Sequence, residues 1–324
     1  MYFLGFTWNP DDILFNIGFI QIKYYNLLWI LAFVVGWFIM KRIFKNENKS
    51  MEKLDSLFVY AVVSIMLGAR LGHVFFYDWD YYKNHLLEIL LPIRESAEGS
   101  LFGIINGYEF TGFTGLASHG AAIGGVIGLY MLSRKYKDLG VLWLLDRVVM
   151  TCSIGGAFVR LGNFFNSEIN GKVVDESFAF ATRFVRDSDD MPAYKAMGLT
   201  NEKTASAAYK AIENNPQYAN ILEGIPFRHP VQLYEAFGYL IVFLIMYYWL
   251  YWKTDKKDKP GFLFGFWLVI MWGPIRFVME YFKKSQGGFE EALGTFSTGQ
   301  WLSIPFVLLG LYLMFRPDPK KQNA

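Results

Sequence analysis

Residues 160–171 read RLGNFFNSEING, and this stretch decides what kind of fold the chain can adopt. It places Arg160, Asn163, Asn166 and Glu168 at the end of a strongly apolar segment. An arginine near the middle of a bilayer helix costs roughly 2.5 to 3.5 kcal/mol, so such residues are rare and usually line a polar site. The stretch therefore predicts a membrane protein with a polar site at one end of a helix.

The composition of the whole chain supports this class. Apolar residues make up 53% of the 324 residues and charged residues only 19%, and the apolar residues gather in long blocks. Blocks of about 17 to 25 residues are long enough to cross a bilayer as helices. We therefore predict an all-α integral membrane protein with seven transmembrane helices and a small extracytoplasmic head domain. The spans are expected near residues 24–43, 57–77, 113–132, 141–162, 231–252, 261–281 and 299–315.

Basic residues in the short connections indicate the orientation. They follow the first, third, fifth and last predicted spans, and all these connections lie on one side of a seven-span bundle. Because cytoplasmic connections carry an excess of lysine and arginine, that side is expected to be cytoplasmic, with the N-terminus outside and the C-terminus inside. The residues concerned are Lys41, Arg42, Lys45, Lys49, Lys53, Arg134, Lys135, Lys137, Lys253, Lys256, Lys257, Lys259, Arg316, Lys320 and Lys321.

The hydrophilic segment 164–229 divides the chain. We expect residues 1–163 to hold the outer-face N-terminal segment and helices 1–4, residues 164–229 a periplasmic head insertion, and residues 230–324 helices 5–7 with a cytoplasmic tail. The head contains a helix-like stretch, AYKAMGLTNEKTASAAYKAIENN, at 193–215. The N-terminal segment carries Asp11 and Asp12 and lacks the basic start of a signal peptide, so we expect it to be retained. A net charge of +2 gives no reason to expect a nucleic-acid partner.

Three arginines are predicted to lie deep in the outer half of the membrane. At about 1.5 Å per residue, Arg70, Arg160 and Arg276 lie roughly 20 to 29 Å from the cytoplasmic ends of their spans. His119 and Glu235 fall near the same depth on spans that run inward. A single arginine could equally well snorkel to the headgroups, but three without partners would cost about 8 to 10 kcal/mol. We therefore predict a cationic pocket, if the helix faces converge.

Acidic partners for these arginines are available. Glu280 follows Arg276 by four residues on the same helical face, and Glu235 is a second candidate. Asp146 and Arg147 lie near the predicted cytoplasmic end of the fourth span, where we expect an interfacial ion pair rather than site residues.

His119 begins the stretch SHGAAIGGVIGLY, in which Gly120, Gly124 and Gly128 recur every four residues. Such a ridge of small residues lets two helix backbones approach closely, and packing is a sufficient reason for the glycines. A histidine in this position could be a buried structural residue. Because several arginines are predicted at the same depth, a role as general base is the better interpretation of His119 than a structural one.

Arginine side chains match phosphate bidentately, so a lipid headgroup phosphate is the simplest ligand of the predicted pocket. We expect no metal and no cofactor, because the histidines and acids lack HExxH or aspartate-rich spacing. Of the remaining histidines, we expect His73 at the headgroup level, His229 bonded within its loop and His85 on a loop surface. Cys152 is expected to be buried inside the fourth span.

Residues 160–171 closely resemble the signature RxGNxxNxExxG of the prolipoprotein diacylglyceryl transferases, bacterial enzymes that begin lipoprotein maturation. The resemblance extends along most of the chain. KYYN, GARLGHVFFY, SHGAAIGG, HPVQLYEA, PIRFVMEYF and TGQWLSIP occur in the order found in that family. The family resemblance also implies seven spans, a periplasmic head and an outward N-terminus.

The resemblance implies that a diacylglyceryl group passes from phosphatidylglycerol to the lipobox cysteine of a preprolipoprotein. By motif, the residues implied for catalysis are His119, Arg160, Arg276, Tyr25 and Glu168. The residues expected to bind the lipid are Arg160, Asn163, Asn166, Gly171, Arg276, Glu280, Arg70 and Gln300. We expect a monomer in the bacterial inner membrane, with no metal and no cofactor. An anionic-solute transporter, or another enzyme acting on outer-leaflet phospholipids, is the alternative.

Overall fold

The computed structural model describes residues 5–11, 13–17, 20–101, 104–111, 115–283 and 296–317. Within them the chain is mostly helical. The long helices are α1 (Tyr24–Asn46), α2 (Met51–Phe76), α5 (Ser118–Lys135), α6 (Val141–Phe165), α10 (Val231–Leu244, continued by a π-helical turn, Ile245–Tyr251), α11 (Phe262–Ile270), α12 (Arg276–Phe282) and α13 (Thr298–Phe315). The short helices are α3 (Trp79–Tyr82), α4 (Leu87–Leu90), α7 (Ala193–Thr200), α8 (Ala205–Asn214) and α9 (Ala219–Glu223).

Within the part of the chain that the structure describes, five helices are long and apolar enough to cross a membrane. They are Tyr24–Asn46, Met51–Phe76, Val141–Phe165, Val231–Tyr251 and Phe262–Phe282. These five overlap five of the predicted spans and support an integral membrane protein. Shorter helices, α5 and α13, cover the other two predicted positions, so a total of seven crossings stays a prediction. Asp12, Lys320, Lys321 and the start of the predicted third span at 113–114 lie outside the described residues.

The prediction of an all-α protein is wrong in detail, because three small sheets are present. Strands β1 (Phe6–Trp8), β6 (Thr182–Phe184) and β7 (Phe227–Arg228) form one sheet in the order β1-β6-β7, with β1 parallel to β6 and β7 antiparallel to it. Two antiparallel pairs are separate, namely β2 (Ile13–Ile17) with β3 (Ile20–Lys23), and β4 (Ile93–Leu101) with β5 (Ile105–Phe110). In each case, segments outside the helices satisfy their backbone groups by pairing.

The chain divides into two compact units. The first comprises Met1–Ile39 and Asp146–Ala324, and the second comprises Met40–Leu145. The first unit holds the three-stranded sheet and the pair β2–β3, whereas the second holds the β4–β5 hairpin. Whether residues 164–229 form a separate extracytoplasmic domain stays a prediction.

Residues 164–229 carry a hydrophobic core of their own. Buried side chains from α7, α8 and the flanking loops pack together, among them Met191, Ala208 and Ile212. The helix-like stretch predicted at 193–215 is two helices, because Asn201 adopts a left-handed conformation (φ 57°) and ends α7. The Thr204 side chain then caps α8 by accepting a hydrogen bond from the Ala207 N–H, as expected of a threonine at this position.

The N-terminal segment is bound to this core. Strand β1 pairs with β6, and Asp11 forms ion pairs with Arg186 and Lys210 and accepts a hydrogen bond from Ser206. The pKa of Asp11 is lowered to about 2, mainly because Lys210 and then Ser206 donate to its carboxylate. The segment at the start of the chain is therefore an integral part of the first unit.

In the second unit, the predicted glycine ridge packs helix against helix. Gly68 of α2 lies so close to α5 that a Cβ added to it would collide with the Gly120 carbonyl and with Gly124 Cα. A Cβ on Gly124 would in turn collide with the Ser64 carbonyl. The α5 glycines thus serve close packing, as predicted, and α2 supplies the matching small residues.

Two expectations about the fourth predicted span have different outcomes. Asp146 and Arg147 form the expected ion pair, with 3.7 Å between Oδ2 and Nη1, but both are buried. The Asp146 carboxylate also accepts hydrogen bonds from the Gly261 and Phe264 N–H groups at the start of α11. Cys152, expected to be buried, is exposed on the surface of α6. A thiol is apolar enough to face lipid, so its place within a span did not decide its burial.

Candidate active site

The polar site begins where α6 ends. Helix α6 stops at Phe165, and the next turn places Ser167 and Ile169 in left-handed conformations (φ 56° and 58°) on either side of Glu168. A β-branched residue such as Ile169 rarely adopts this conformation, which costs on the order of 1–3 kcal/mol. The turn is fixed by the Glu168 N–H, which donates to the Asn163 carbonyl (2.9 Å). Strained backbone of this kind is concentrated at functional sites.

The signature side chains in this turn form a continuous polar chain. Arg160 Nη1 donates to Asn163 Oδ1 at 3.3 Å, and Asn163 Nδ2 donates to Glu168 Oε2 at 3.1 Å. Asn166 Nδ2 donates to the other carboxylate oxygen of Glu168 at 3.1 Å. Asn163 is buried, whereas Glu168 is exposed. The structure therefore brings together four of the residues predicted from the sequence, and Glu168 is held by two amides.

A buried carboxylate on α10 balances the charge of Arg160. Glu235 Oε2 lies 2.7 Å from Arg160 Nε, and Glu235 Oε1 accepts a hydrogen bond from Lys283 Nζ at 2.6 Å. Glu235 was predicted as a possible partner of an arginine, and it pairs with Arg160. Lys283 was not predicted, because a lysine that directly follows a span usually marks the polar edge of the membrane.

The second arginine is positioned by a break in its helix. Between α11 and α12 the chain forms a π-helical turn (Met271–Ile275) in which Gly273 leaves the helical conformation and Pro274 follows it. Helix α12 then begins with Arg276. Glycine and proline are ordinary causes of such kinks, and π-helical turns are frequent at functional sites.

Arg276 has the predicted partner. Its Nη2 lies 3.5 Å from Glu280 Oε2, four residues later on α12. Gly299 of α13 packs directly against this ion pair. A Cβ at Gly299 would lie 2.5 Å from Arg276 Nη2 and 3.0 Å from Glu280 Oε2. Gln300 follows, is buried, and contacts the Phe277 carbonyl at 3.4 Å.

Arg160 and Arg276 have two neighbouring side chains in common, Tyr239 and Lys283. The Tyr239 hydroxyl of α10 interacts with the Arg160 guanidinium, and Arg160 and Arg276 both lie close enough to Tyr239 to affect it electrostatically. The same is true of Lys283. Lys283, which follows α12 directly, bonds Glu235, the partner of Arg160, while Arg276 begins the same helix. The convergence of the two arginines on one pocket stays a prediction. Tyr239 was not predicted, because its sequence position resembles that of an ordinary aromatic residue facing lipid.

Tyr25 and Gly171 complete this part of the first unit. Tyr25 packs on Gly162, where a Cβ would come within 2.7 Å of its ring, and its hydroxyl accepts a hydrogen bond from Trp29 Nε1 at 3.3 Å. Gly171 is buried, and its N–H donates to the His229 carbonyl. A Cβ on Gly171 would collide with Val231 and with two carbonyl oxygens, so no larger residue fits there.

The other two predicted site residues, Arg70 and His119, belong to the second unit. Arg70 is buried, donates to the Glu88 and Ile89 carbonyls, and lies 4.6 Å from the centre of the Tyr82 ring. Together with His73 it lines a cavity of about 430 Å³. His119 lies in the first turn of α5, and its side chain is exposed. Participation of these two residues in the site stays a prediction.

A model of the prolipoprotein diacylglyceryl transferase family matches residues 12–316. The chain belongs to this family. Prolipoprotein diacylglyceryl transferases are transferases of lipoprotein biosynthesis, and the five apolar helices agree with a membrane enzyme. The resemblance inferred from RLGNFFNSEING is therefore confirmed.

Curated relatives carry the name phosphatidylglycerol–prolipoprotein diacylglyceryl transferase. One from Bacteroides fragilis is 36% identical over 318 residues, which cover 98% of this chain and 97% of the relative. One from Tolumonas auensis is 34% identical, covering 97% and 98%. A third, from Chloroherpeton thalassium, is 33% identical, covering 97% and 95%. Similarity to these prolipoprotein diacylglyceryl transferases thus extends over nearly the whole chain.

Proposed function

We propose that this chain transfers the diacylglyceryl group of phosphatidylglycerol to the lipobox cysteine thiol of a preprolipoprotein. The observation that carries this function is that Glu235 pairs with both Arg160 and Lys283, and Lys283 directly follows the helix that Arg276 begins. Guanidinium groups in such a place suit the phosphate of a phospholipid headgroup. A transporter for anionic solutes would use the same residue type, and membership of a transferase family favours the enzyme over it.

The proposed reaction is a displacement at carbon. The cysteine sulfur forms a bond to the glycerol carbon that carries the phosphate, and the bond between that carbon and the phosphate oxygen breaks. The electron pair of the broken bond leaves with glycerol phosphate, and the thiol proton passes to a base. The product is a thioether, and no oxidant or reductant is required.

Negative charge increases on the leaving phosphate as the carbon–oxygen bond breaks. Arg160 and Arg276 supply fixed positive charge for it, and preorganised charge of this kind is the largest common contribution to catalysis. Each guanidinium is oriented by an acid, Arg160 by Glu235 and Arg276 by Glu280. Asn163, Asn166, Glu168 and Gln300 supply the amide and carboxylate groups that suit the hydroxyls of the glycerol headgroup.

His119 is the proposed base, because a neutral imidazole can accept the thiol proton and the side chain is exposed on its own unit. Tyr25 is proposed to help orient the lipid, and Arg70 to bind its headgroup. The proposed setting is the bacterial inner membrane, with seven spans, a periplasmic head at 164–229 and a cytoplasmic C-terminus. The chain is proposed to act as a monomer, and the transfer reaction to use neither a metal nor a cofactor.

The activity is tested with purified full-length protein, phosphatidylglycerol vesicles and a lipobox peptide, and the thioether product is measured by mass spectrometry. We expect product with the cysteine peptide and none with its Cys→Ala form. Arg160→Ala and Arg276→Ala should each lower turnover about 10²- to 10³-fold, the effect of removing one donor that stabilises transition-state charge. Product from the Cys→Ala peptide, or full activity in both arginine variants, would contradict the proposal.

The base is tested separately with His119→Gln, which keeps a polar side chain but cannot take the proton. We expect a loss of about 10²- to 10⁴-fold in turnover at unchanged lipid binding. Near-normal turnover in this variant, together with loss in Arg160→Ala, would show that the positive charge alone activates the thiol.

A further inference from the structure

Three side chains with metal-binding atoms converge in the second unit, where one of them, Glu88, also lines the cavity of Arg70 and His73. They are His85, Glu88 and Glu95, whose donor atoms all lie within 4.8 Å of one another. We propose that they form a binding site for a divalent cation of the zinc class, with three protein ligands and one position left for water.

The spacing of the donor atoms fits such an ion. His85 Nδ1 lies 3.0 Å from Glu95 Oε2 and 3.7 Å from Glu88 Oε1. Zinc binds histidine nitrogen and carboxylate oxygen at about 2.0–2.2 Å in tetrahedral geometry, so neighbouring ligand atoms lie roughly 3.3–3.6 Å apart. The observed distances bracket this value, and small rotations of exposed Glu95 would equalise them.

The charges of the three ligands also suit a divalent cation. A neutral imidazole and two carboxylates carry two negative charges, which one divalent ion balances. Glu88 is only 3% exposed, and the hydrogen bonds that its carboxylate accepts from the Tyr81 hydroxyl and the Glu95 N–H come from neutral donors. His85 Nδ1 is fully buried and makes no hydrogen bond among the described residues. An unbonded ring nitrogen that faces two carboxylates is what a metal ligand requires.

Neighbouring groups hold the ligands in place. The Tyr81 hydroxyl donates to Glu88 Oε2 at 2.9 Å, and the Glu95 N–H donates to Glu88 Oε1 at 2.8 Å. The Tyr81 ring stacks on His85, with 4.3 Å between ring centroids. Hydrogen bonds from such outer groups orient metal ligands and typically contribute 10- to 100-fold to affinity.

The simpler alternative is an ion pair between protonated His85 and Glu95. Such a pair needs only one carboxylate, whereas in the structure the carboxylates of both Glu88 and Glu95 lie near His85 Nδ1. A cation at this position would join the segment around α4 to strand β4 of the hairpin. Because histidine is one ligand, zinc and cobalt should bind and calcium and magnesium should not.

The test uses tag-free full-length protein in nanodiscs, freed of metal with a chelator and titrated with Zn²⁺ against a chromophoric competitor. We expect one saturable equivalent, a cobalt derivative with tetrahedral absorption bands, and no competition from millimolar Ca²⁺. His85→Gln and Glu95→Gln should each weaken Zn²⁺ binding by about tenfold or more, because each removes one of three ligands.

The matched control is Glu109→Gln, which removes an exposed carboxylate from β5 of the same hairpin, opposite Arg94. It should bind Zn²⁺ as the wild type does. Thermal unfolding without metal shows whether each variant is folded, and His85→Gln and Glu95→Gln replace partly exposed side chains. Absence of a saturable equivalent in the wild type, or equal affinity in all three variants and the wild type, would overturn the site.

Discussion

Glu235 is 1% exposed and contacts two cationic groups, Arg160 and Lys283. Removing this negative charge leaves the two cations without their carboxylate partner, and breaking a buried ion pair in this way typically costs 3–5 kcal/mol. We therefore expect Glu235→Gln to lower the free energy of unfolding by about 3 kcal/mol and to reduce transferase turnover. The measurements are thermal or denaturant unfolding in detergent and the thioether assay.

A double variant separates charge from shape in this cluster. Glu235→Gln with Lys283→Met removes one carboxylate and one ammonium, so one fewer cation is left unpaired than in Glu235→Gln alone. The double variant should therefore recover at least about 1 kcal/mol relative to Glu235→Gln. If its stability is no higher, the ion pair with Lys283 does not determine the cost.

At the scale of residues, part of the site could be predicted from the sequence. Three features of the sequence indicate that part. They are the depths of the arginines in their spans, the i,i+4 pair of Arg276 and Glu280, and the motif around Arg160. Lys283 and Tyr239 could not be predicted, because lysine and tyrosine at a span end are also ordinary membrane-edge residues. Only tertiary packing shows that Lys283 bonds Glu235 and that Tyr239 interacts with Arg160.

Helices α2 and α5 contact each other through small residues, and adjacent glycines on α5 offer a matched test. A Cβ on Gly124 would collide with the Ser64 carbonyl, whereas one on Gly125 would meet Ile65 Cγ1 at 3.4 Å, an ordinary contact. We expect Gly124→Ala to lower the free energy of unfolding by about 1–3 kcal/mol, the usual effect of overpacking.

Gly125→Ala should leave stability within about 0.5 kcal/mol of the wild type, or raise it slightly, because alanine favours the helix. Both variants are measured by unfolding in the same detergent. Equal losses in the two variants would mean that the close approach of α2 at Gly124 does not determine the effect.

At the scale of elements, apolar blocks predict long helices well, and helices are found at all seven predicted positions. The sequence did not predict the strands, since β1, β6 and β7 are two or three residues long, and β1 pairs with β6 across more than 170 residues of chain. It also did not predict the kink at Gly273 and Pro274, because helices with proline inside them can continue past it.

At the scale of the whole first unit, Asp11 connects the start of the chain to the core of residues 164–229. Its pKa is lowered to about 2 from 3.8, mainly by Lys210 and then by Ser206. A carboxylate with a lowered pKa stabilises the folded state above about pH 4, and that contribution is lost as the pH falls through about 2. The side chain is 40% exposed, so the effect is less than about 1 kcal/mol.

We expect Asp11→Asn to increase hydrogen exchange of the Gly5 and Phe6 amides, which donate to Glu176 and Ala181. After correction for intrinsic rates, the difference from wild type should be constant above pH 4, fall to about half near pH 2 and vanish near pH 1. Asp175→Asn is the control, since Asp175 accepts hydrogen bonds from Ser177 within its own turn. A difference that does not fall between pH 4 and pH 1 would mean that the charge of Asp11 is irrelevant.

The backbone bridge between Gly171 and Lys283 has a consequence for biogenesis. Its two residues are separated by more than a hundred positions. The ribosome must therefore translate α10, α11 and α12 before the bridge can form. Once Glu235 has been translated, its carboxylate can pair with Arg160. The other carboxylate oxygen of Glu235 has its partner only after Lys283 has been translated. The ion-pair cluster of Arg160, Glu235 and Lys283 is therefore completed late in synthesis, only after α12 has been translated.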